Sequence, residues 1–101
     1  MIPIEFEWNE EKALANLKNH NISFEEAKTV FYDPNALVIF DPDHSDLEDR
    51  FIIMGMSQSL KLLVVCHCYR SNDEIIRIIS ARKAESNEKS MYGGRQHERT
   101  V

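Results

Sequence analysis

Glu74-Ile75-Ile76-Arg77-Ile78-Ile79-Ser80-Ala81-Arg82-Lys83-Ala84 is the decisive stretch of the sequence. Four isoleucines are interrupted by Arg77 and followed by the Arg82-Lys83 pair. Such a β-branched run reads as a strand buried on at least one face. A cation inside it needs a partner or a route to solvent, because burying it unpaired is costly. Two readings follow. In one, this is a central strand with a salt-bridged arginine. In the other, the strand carries cations onto a working surface. Side chains alternate along a strand, so Ile75, Arg77, Ile79 and Ala81 share one face. Leu63, Val65, His67 and Tyr69 share a face of the preceding apolar run by the same rule. Whether the two sets meet depends on register.

Working back towards the N-terminus, Leu62 to Tyr69 is the most apolar run and a third strand candidate. Arg50 to Ser57, with Phe51, Ile52, Ile53 and Met54, is the second, and Ala36 to Phe40 the first. Ser57-Gln58-Ser59 and Ser71-Asn72-Asp73 are turns, and Asp41 to Asp46 is a polar loop. Short turns between successive strands mean antiparallel pairing. Upstream, Asn9 is an N-cap, and Glu10 and Glu11 complement the positive helix end. Ala13, Leu14 and Leu17 form an apolar stripe. Lys18 and His20 sit at the negative end, and Asn21 suits the left-handed cap position. The first helix therefore runs from about Asn9 to His20. Ser23 and Glu26 form a capping box for a second, short helix that Asp33-Pro34-Asn35 stops. Ile2, Ile4, Phe6 and Trp8 alternate with polar residues or Pro3, a pattern for a short edge strand. Beyond the decisive stretch, Ala84 to Tyr92 is a third helix, ended by Gly93-Gly94, and Arg95 to Val101 is a loose tail. The expected architecture is α+β: an N-terminal helix hairpin on a four-stranded antiparallel sheet, with a C-terminal helix and the other sheet face partly free.

Length and composition fit one domain, residues 1–92, with 93–101 as a flexible tail. At 43% hydrophobic and 29% charged, the composition of the 101 residues is ordinary for a soluble globular protein. No apolar run approaches a membrane span, and Met1 to Glu5 lacks a basic n-region. A cytoplasmic location follows, where Cys66 and Cys68 stay reduced. Cys66-His67-Cys68 could turn both sulfurs one way, but no second Cys/His pair completes a tetrahedral site, so no metal is expected. The net charge of −5 is unevenly spread. Residues 1–50 carry four Lys/Arg against twelve Asp/Glu, a balance of −8, and residues 51–101 carry eight against five, a balance of +3. The acidic half avoids polyanions, and the basic half suits RNA or an acidic partner.

No Gly-rich phosphate loop, HExxH, GxSxG or paired CxxC motif occurs. What remains is a set of cations with a histidine: Arg50, His67, Arg70, Arg77, Arg82 and Lys83. A histidine moves protons near neutral pH, and arginines stabilise charge building on phosphate oxygens, which together suit phosphodiester cleavage. The structural alternative pairs Arg50 and Arg77 with Glu48, Asp49 or Glu74 and leaves His67 as a packed strand residue. His20 is either a cation closing the first helix or part of a Lys18/His20 cluster beside a substrate.

The order of motifs resembles a known family. Phe6-x-Trp8-Asn9-x-x-Lys12-Ala13-x-x-Asn16, with Lys18 and His20, is followed by Ser23-Phe24-x-Glu26-Ala27-x-x-Val30-Phe31-x-Asp33-Pro34. Then come Asp43-His44-Ser45, Glu48-x-Arg50-Phe51, Gly55-x-Ser57, Leu63-Val64-Val65-x-His67 and Arg77 to Ala84, with Glu88 and Tyr92 closing it. This resembles BrnT-type toxins over residues 5–92. The resemblance implies a RelE-like fold and a metal-independent endoribonuclease toxin of a type II toxin–antitoxin pair, with no cofactor. It implies a partner, a BrnA-type antitoxin with a ribbon-helix-helix DNA-binding domain, so that DNA is reached only through the antitoxin. On that model His67, Arg77 and Arg82 are the catalytic candidates, and Arg50, Arg70, Lys83, Lys18 and His20 the substrate-binding ones. Three departures stand out: Asn21 where the family often has glycine, Glu85 in place of a threonine that would box with Glu88, and Ser86 and Asn87 in place of basic residues. A second class of function is a non-catalytic binding module, a co-repressor subunit held by the antitoxin.

Overall fold

The structure, a computed structural model, describes residues 4–40 and 49–93 with their side chains and the backbone of 94–100. Ile2-Pro3, the loop Asp41 to Asp46, and the motif positions Asp43 to Ser45 and Glu48 lie outside the described residues.

The decisive stretch is strand β5 (Ile75–Lys83), and it is interior to the sheet. Before it in the chain come β1 (Glu5–Glu7), α1 (Glu10–His20), α2 (Phe24–Thr29), a 3-10 turn (Val30–Tyr32), β2 (Leu37–Phe40), β3 (Phe51–Met56) and β4 (Leu62–Arg70), and after it α3 (Ser86–Thr100). The strand order is β1-β5-β4-β3-β2. β2 to β5 form the expected antiparallel meander. The expected sheet of four strands is corrected to five, because β1 joins β5 in parallel, with Phe6 opposite Ile76 and Glu7 opposite Arg77. A three-residue alternation shows that a strand exists. It does not show its partner, which lies some 70 residues away in sequence and is chosen by packing.

Local sequence explains both N-terminal helices. Asn9 Oδ1 accepts the Lys12 N–H at 3.0 Å, and Asn21 closes α1 in the left-handed conformation, φ 58°. Ser23 Oγ accepts the Glu26 N–H at 3.0 Å. The reciprocal half of that capping box is missing, because the Glu26 carboxylate turns to the β3–β4 turn. There it accepts Ser57 Oγ–H at 2.8 Å and Ser59 Oγ–H. Burial acts to raise the Glu26 pKa, but these hydroxyls and the nearby Lys61 and Lys83 hold it below its ordinary value. Both helices lie on one face of the sheet, each against β5, so the expected hairpin is two short helices laid side by side on strands.

Under them Ile22, Phe24, Ala27, Val30, Ile53, Leu63, Val65, Ile78 and Ala81 form the main core. Asn16 is buried there and bridges three elements. Its Nδ2 donates to Ile22 O and Ala81 O, each at 2.9 Å, and its Oδ1 accepts the Ala81 N–H at 3.1 Å. A buried amide with these partners costs little to hold and much to truncate. Where the 3-10 turn crosses β3, only glycine fits: a Cβ on Gly55 would stand 2.9 Å from a Val30 methyl.

The opposite face holds a smaller cluster of Met54, Val64, Ala84 and Tyr92, the last supplied by α3. Tyr92 donates its hydroxyl to Asp33 Oδ2 at 2.6 Å, tying α3 to the end of the 3-10 turn. Burial acts to raise the Asp33 pKa, but that bond and the N–H groups of Met56 and Asn35 hold it below its ordinary value. The expected helix stop at Gly93-Gly94 is not there, because helical backbone continues to Thr100. Glycine weakens a helix by about 1 kcal/mol relative to alanine but does not forbid it. The expected loss of a cap at Glu85 is also corrected in part, since Glu88 Oε1 accepts the Glu85 N–H at 2.8 Å.

Candidate functional site

The register of β4 against β5 slips once. Cys66 faces Ser80, yet His67 faces Ile78, so Ile79 is an extra residue, a β-bulge. The bulge overturns the simple alternation along β5. Arg77 stands opposite Cys68, Arg82 opposite Val64, and Ala81 opposite Val65. Arg77 and Arg82 are an odd five positions apart and would point to opposite faces of a regular strand. The bulge brings them to the same face and sends Ala81 to the other, beneath the helices.

That open face gathers four of the expected arginines. Arg50 and Arg82 line a groove of about 230 Å³ with Ile52, Val64, Cys66, Ile79 and Ser80. Arg82 is held by a two-pronged bond to Glu88 on α3, Nη1 to Oε1 and Nη2 to Oε2, both 2.8 Å. These bonds push the Glu88 pKa down to about 2 and raise that of Arg82. Towards the β1 edge, Arg77 Nη1 lies 3.1 Å and Arg70 Nε 3.4 Å from the same oxygen, Glu7 Oε2. Charge-assisted bonds fix the guanidinium planes without removing them from water. Glu7 was not foreseen as a partner, because only the parallel β1–β5 pairing brings it opposite Arg77. Glu88 was visible in sequence, six residues after Arg82, but as a capping residue.

The other expected site residues stand elsewhere. His67 is on the helix-covered face, fully buried. Its ring sits among Phe31, Tyr69 and Phe51, with centroids 4.8, 5.3 and 6.1 Å away, and Nδ1 is 3.4 Å from Val65 O. Burial lowers its pKa to about 4, so the ring is neutral at neutral pH. Lys83 faces Leu63 on the helix-covered side, near Glu26. Lys18 and His20 are exposed in the last turn of α1, which packs on that same side. The structure thus brings Arg50, Arg70, Arg77 and Arg82 to one face and does not bring His67, Lys83, Lys18 or His20 to them. Among the described residues no three of His, Cys, Asp and Glu converge as metal ligands, and no helix is long and apolar enough to cross a membrane.

By fold the described residues make a small α+β protein with a mixed five-stranded sheet and three helices. The family whose model matches residues 8–88 is "Ribonuclease toxin, BrnT, of type II toxin-antitoxin system". The match spans most of the sequence, and the chain belongs to the BrnT toxin family. Among solved structures, the 1.1 Å crystal structure of the Brucella abortus ribonuclease toxin BrnT is similar, with a TM-score of 0.63 at 22% identity. The alignment covers 83% of this chain and all of that one. No match is found among curated protein sequences.

Proposed function

We propose that this chain is a RelE-like endoribonuclease toxin that cleaves RNA without a metal or cofactor and acts in the cytoplasm. We propose further that residues 1–92 are its toxin domain and that a BrnA-type ribbon-helix-helix antitoxin neutralises it. The observation that carries the activity is the bulge at Ile79, which puts Arg77 and Arg82 on one exposed face with Arg50 and Arg70. In the proposed reaction the RNA 2′-oxygen forms a bond to the adjacent phosphorus while the P–O5′ bond breaks. The products are a 2′,3′-cyclic phosphate and a 5′-hydroxyl. Arg82, Arg77 and Arg50 stabilise the extra negative charge on the phosphorane, and Arg70 helps seat the backbone. The 2′-hydroxyl proton leaves to water, and O5′ takes one from water, because the fully buried His67 does not reach this face. Lys83, Lys18 and His20 have no part in the step, since they face the other side.

The test is cleavage of end-labelled RNA by the purified chain in EDTA, beside Arg82→Ala and Arg77→Ala, with folding checked by circular dichroism. Cleavage that survives EDTA, leaves cyclic phosphate ends and falls at least about tenfold in the folded variants is the expected result. A second reading, a non-catalytic co-repressor subunit, is favoured by one observation: Glu7 and Glu88 already hold three of the arginines. A folded wild-type chain that binds the antitoxin and cuts no RNA, free or on ribosomes, would select it.

A further inference from the structure

Beyond the arginine face, one concavity is built from a different chemistry. A groove of about 530 Å³ is lined by Asp49, Phe51, Tyr69 and Asp73. Its floor is the Phe51–Tyr69 pair, rings 5.4 Å apart and edge to face, and Phe40 continues it at 5.6 Å from Phe51. Phe51 pairs with His67 and Tyr69 shares its face, so this floor lies on the sheet face opposite Arg77 and Arg82. Tyr69 and Phe40 are exposed, and through Phe51 they form one contiguous aromatic patch. Asp49 and Asp73 are exposed at the rim, and neither has an ion-pair partner among the described residues.

We propose that this groove receives an arginine side chain presented by a protein partner. A guanidinium stacks its flat face on an aromatic ring and bonds carboxylates through its edge, and this groove offers both at once. Behind the floor, the His67 imidazole packs on both rings and carries no charge at neutral pH, so nothing beneath opposes a cation. Burial and the charge of Asp73 push the Tyr69 phenol up, so it stays protonated and its ring keeps a neutral face. RNA fits poorly, because two carboxylates repel the phosphates that accompany every base. In sequence, residues 41–48, which precede Asp49, contain no lysine or arginine. The site lies apart from the arginine face and does not rest on the ribonuclease reading.

The probe is a tetra-arginine peptide titrated into the full-length, isotope-labelled chain and followed by amide resonances, beside a tetra-lysine peptide and a short single-stranded RNA. The expected result is a shift at Phe51, Tyr69 and Asp73 with the Trp8 surroundings unmoved, and tighter binding of arginine than of lysine. Asp73→Asn and Tyr69→Leu should each weaken arginine binding about tenfold, the size of one lost charge-assisted or stacking contact. Asp73→Asn keeps a side chain that tolerates the left-handed backbone there, φ 68°, so it tests the charge even if the Tyr69 variant fails to fold. Equal binding of both peptides, unchanged by Asp73→Asn, would reduce the effect to diffuse attraction and overturn the proposal. So would RNA moving the same resonances, shifts that appear only on self-association, or no shift at these three residues.

Discussion

The two faces of the sheet are made from the same strands and treat polar groups in opposite ways. Under α1 and α2, polarity is absorbed. Asn16 spends its amide on backbone groups of Ile22 and Ala81, and His67 keeps its place among aromatic rings by staying neutral. On the open face, charge is kept. Arg70, Arg77 and Arg82 stay partly in water and lean on Glu7 and Glu88, which orient them. The lesson is that residue type alone does not name a role: the histidine that suits proton transfer lies where its charge is most costly, and the arginines of the strand lie together on a face that water reaches.

Four substitutions test this contrast. The largest effect is expected on the covered face. Asn16→Ala leaves the Ala81 N–H and the Ala81 and Ile22 carbonyls short of partners in the core. It should cost about 4 kcal/mol of unfolding free energy, counted as one to two kcal/mol for each stranded group. Urea denaturation measures it, and a loss under about 1 kcal/mol would mean that water replaces the amide.

His67→Phe comes next and has a pH signature. The folded pKa of about 4 lies below the ordinary 6.5, so the unfolded chain binds the proton first and wild-type stability falls as pH drops through that window. By pH 4 the loss approaches about 3 kcal/mol, at 1.4 kcal/mol per pH unit. The phenylalanine variant should lack this part of the acid sensitivity and should cut RNA as wild type does. A large fall in cleavage by a folded variant would return the histidine to the mechanism.

Arg82→Ala probes the open face, with cleavage expected to fall about tenfold, roughly 1.4 kcal/mol of barrier, and the fold retained. Wild-type rates by a folded Arg82→Ala chain would remove this face from the chemistry. The smallest effect is that of Glu88→Gln, which loosens Arg82 and the start of α3. A deficit of about 1 kcal/mol is expected after discounting for partial exposure. Glu88 titrates low in the folded chain, so the deficit should be full above pH 4.5 and close as pH falls towards about 2. Thermal melts across that range check it; a deficit that does not depend on pH would point to packing instead.

Much of this was legible in the sequence, and what was legible is local. Asn9, Asn21 and Ser23 marked the helix ends because a cap acts within one turn of its own residue. The four meander strands were visible because each is an apolar run set off by polar turn or loop residues, and the short turns after β3 and β4 leave neighbouring runs little choice but to pair. The same reasoning failed where two distant segments choose each other. The parallel seat of β1 on β5 follows from packing Phe6 against Phe31 at 5.3 Å and from the Glu7–Arg77 pair, neither of which a local window contains. Helix α3 passed through Gly93-Gly94 because glycine permits a break without requiring one.

The candidate site divides along the same line. The amino-acid sequence supplied the list of cations, since a β-branched strand with arginines in it forces their charge outward. It also determined the family, through motifs spread in order along the chain. Which of those cations lie on one face was settled by tertiary packing. One extra residue, Ile79, resets the alternation of β5, turns Arg77 and Arg82 to the same side, and leaves His67 on the other. A bulge has no strong signature in composition, because its energy comes from how neighbouring strands and the covering helices fit. Its consequence is large because side-chain direction along a strand has a period of two.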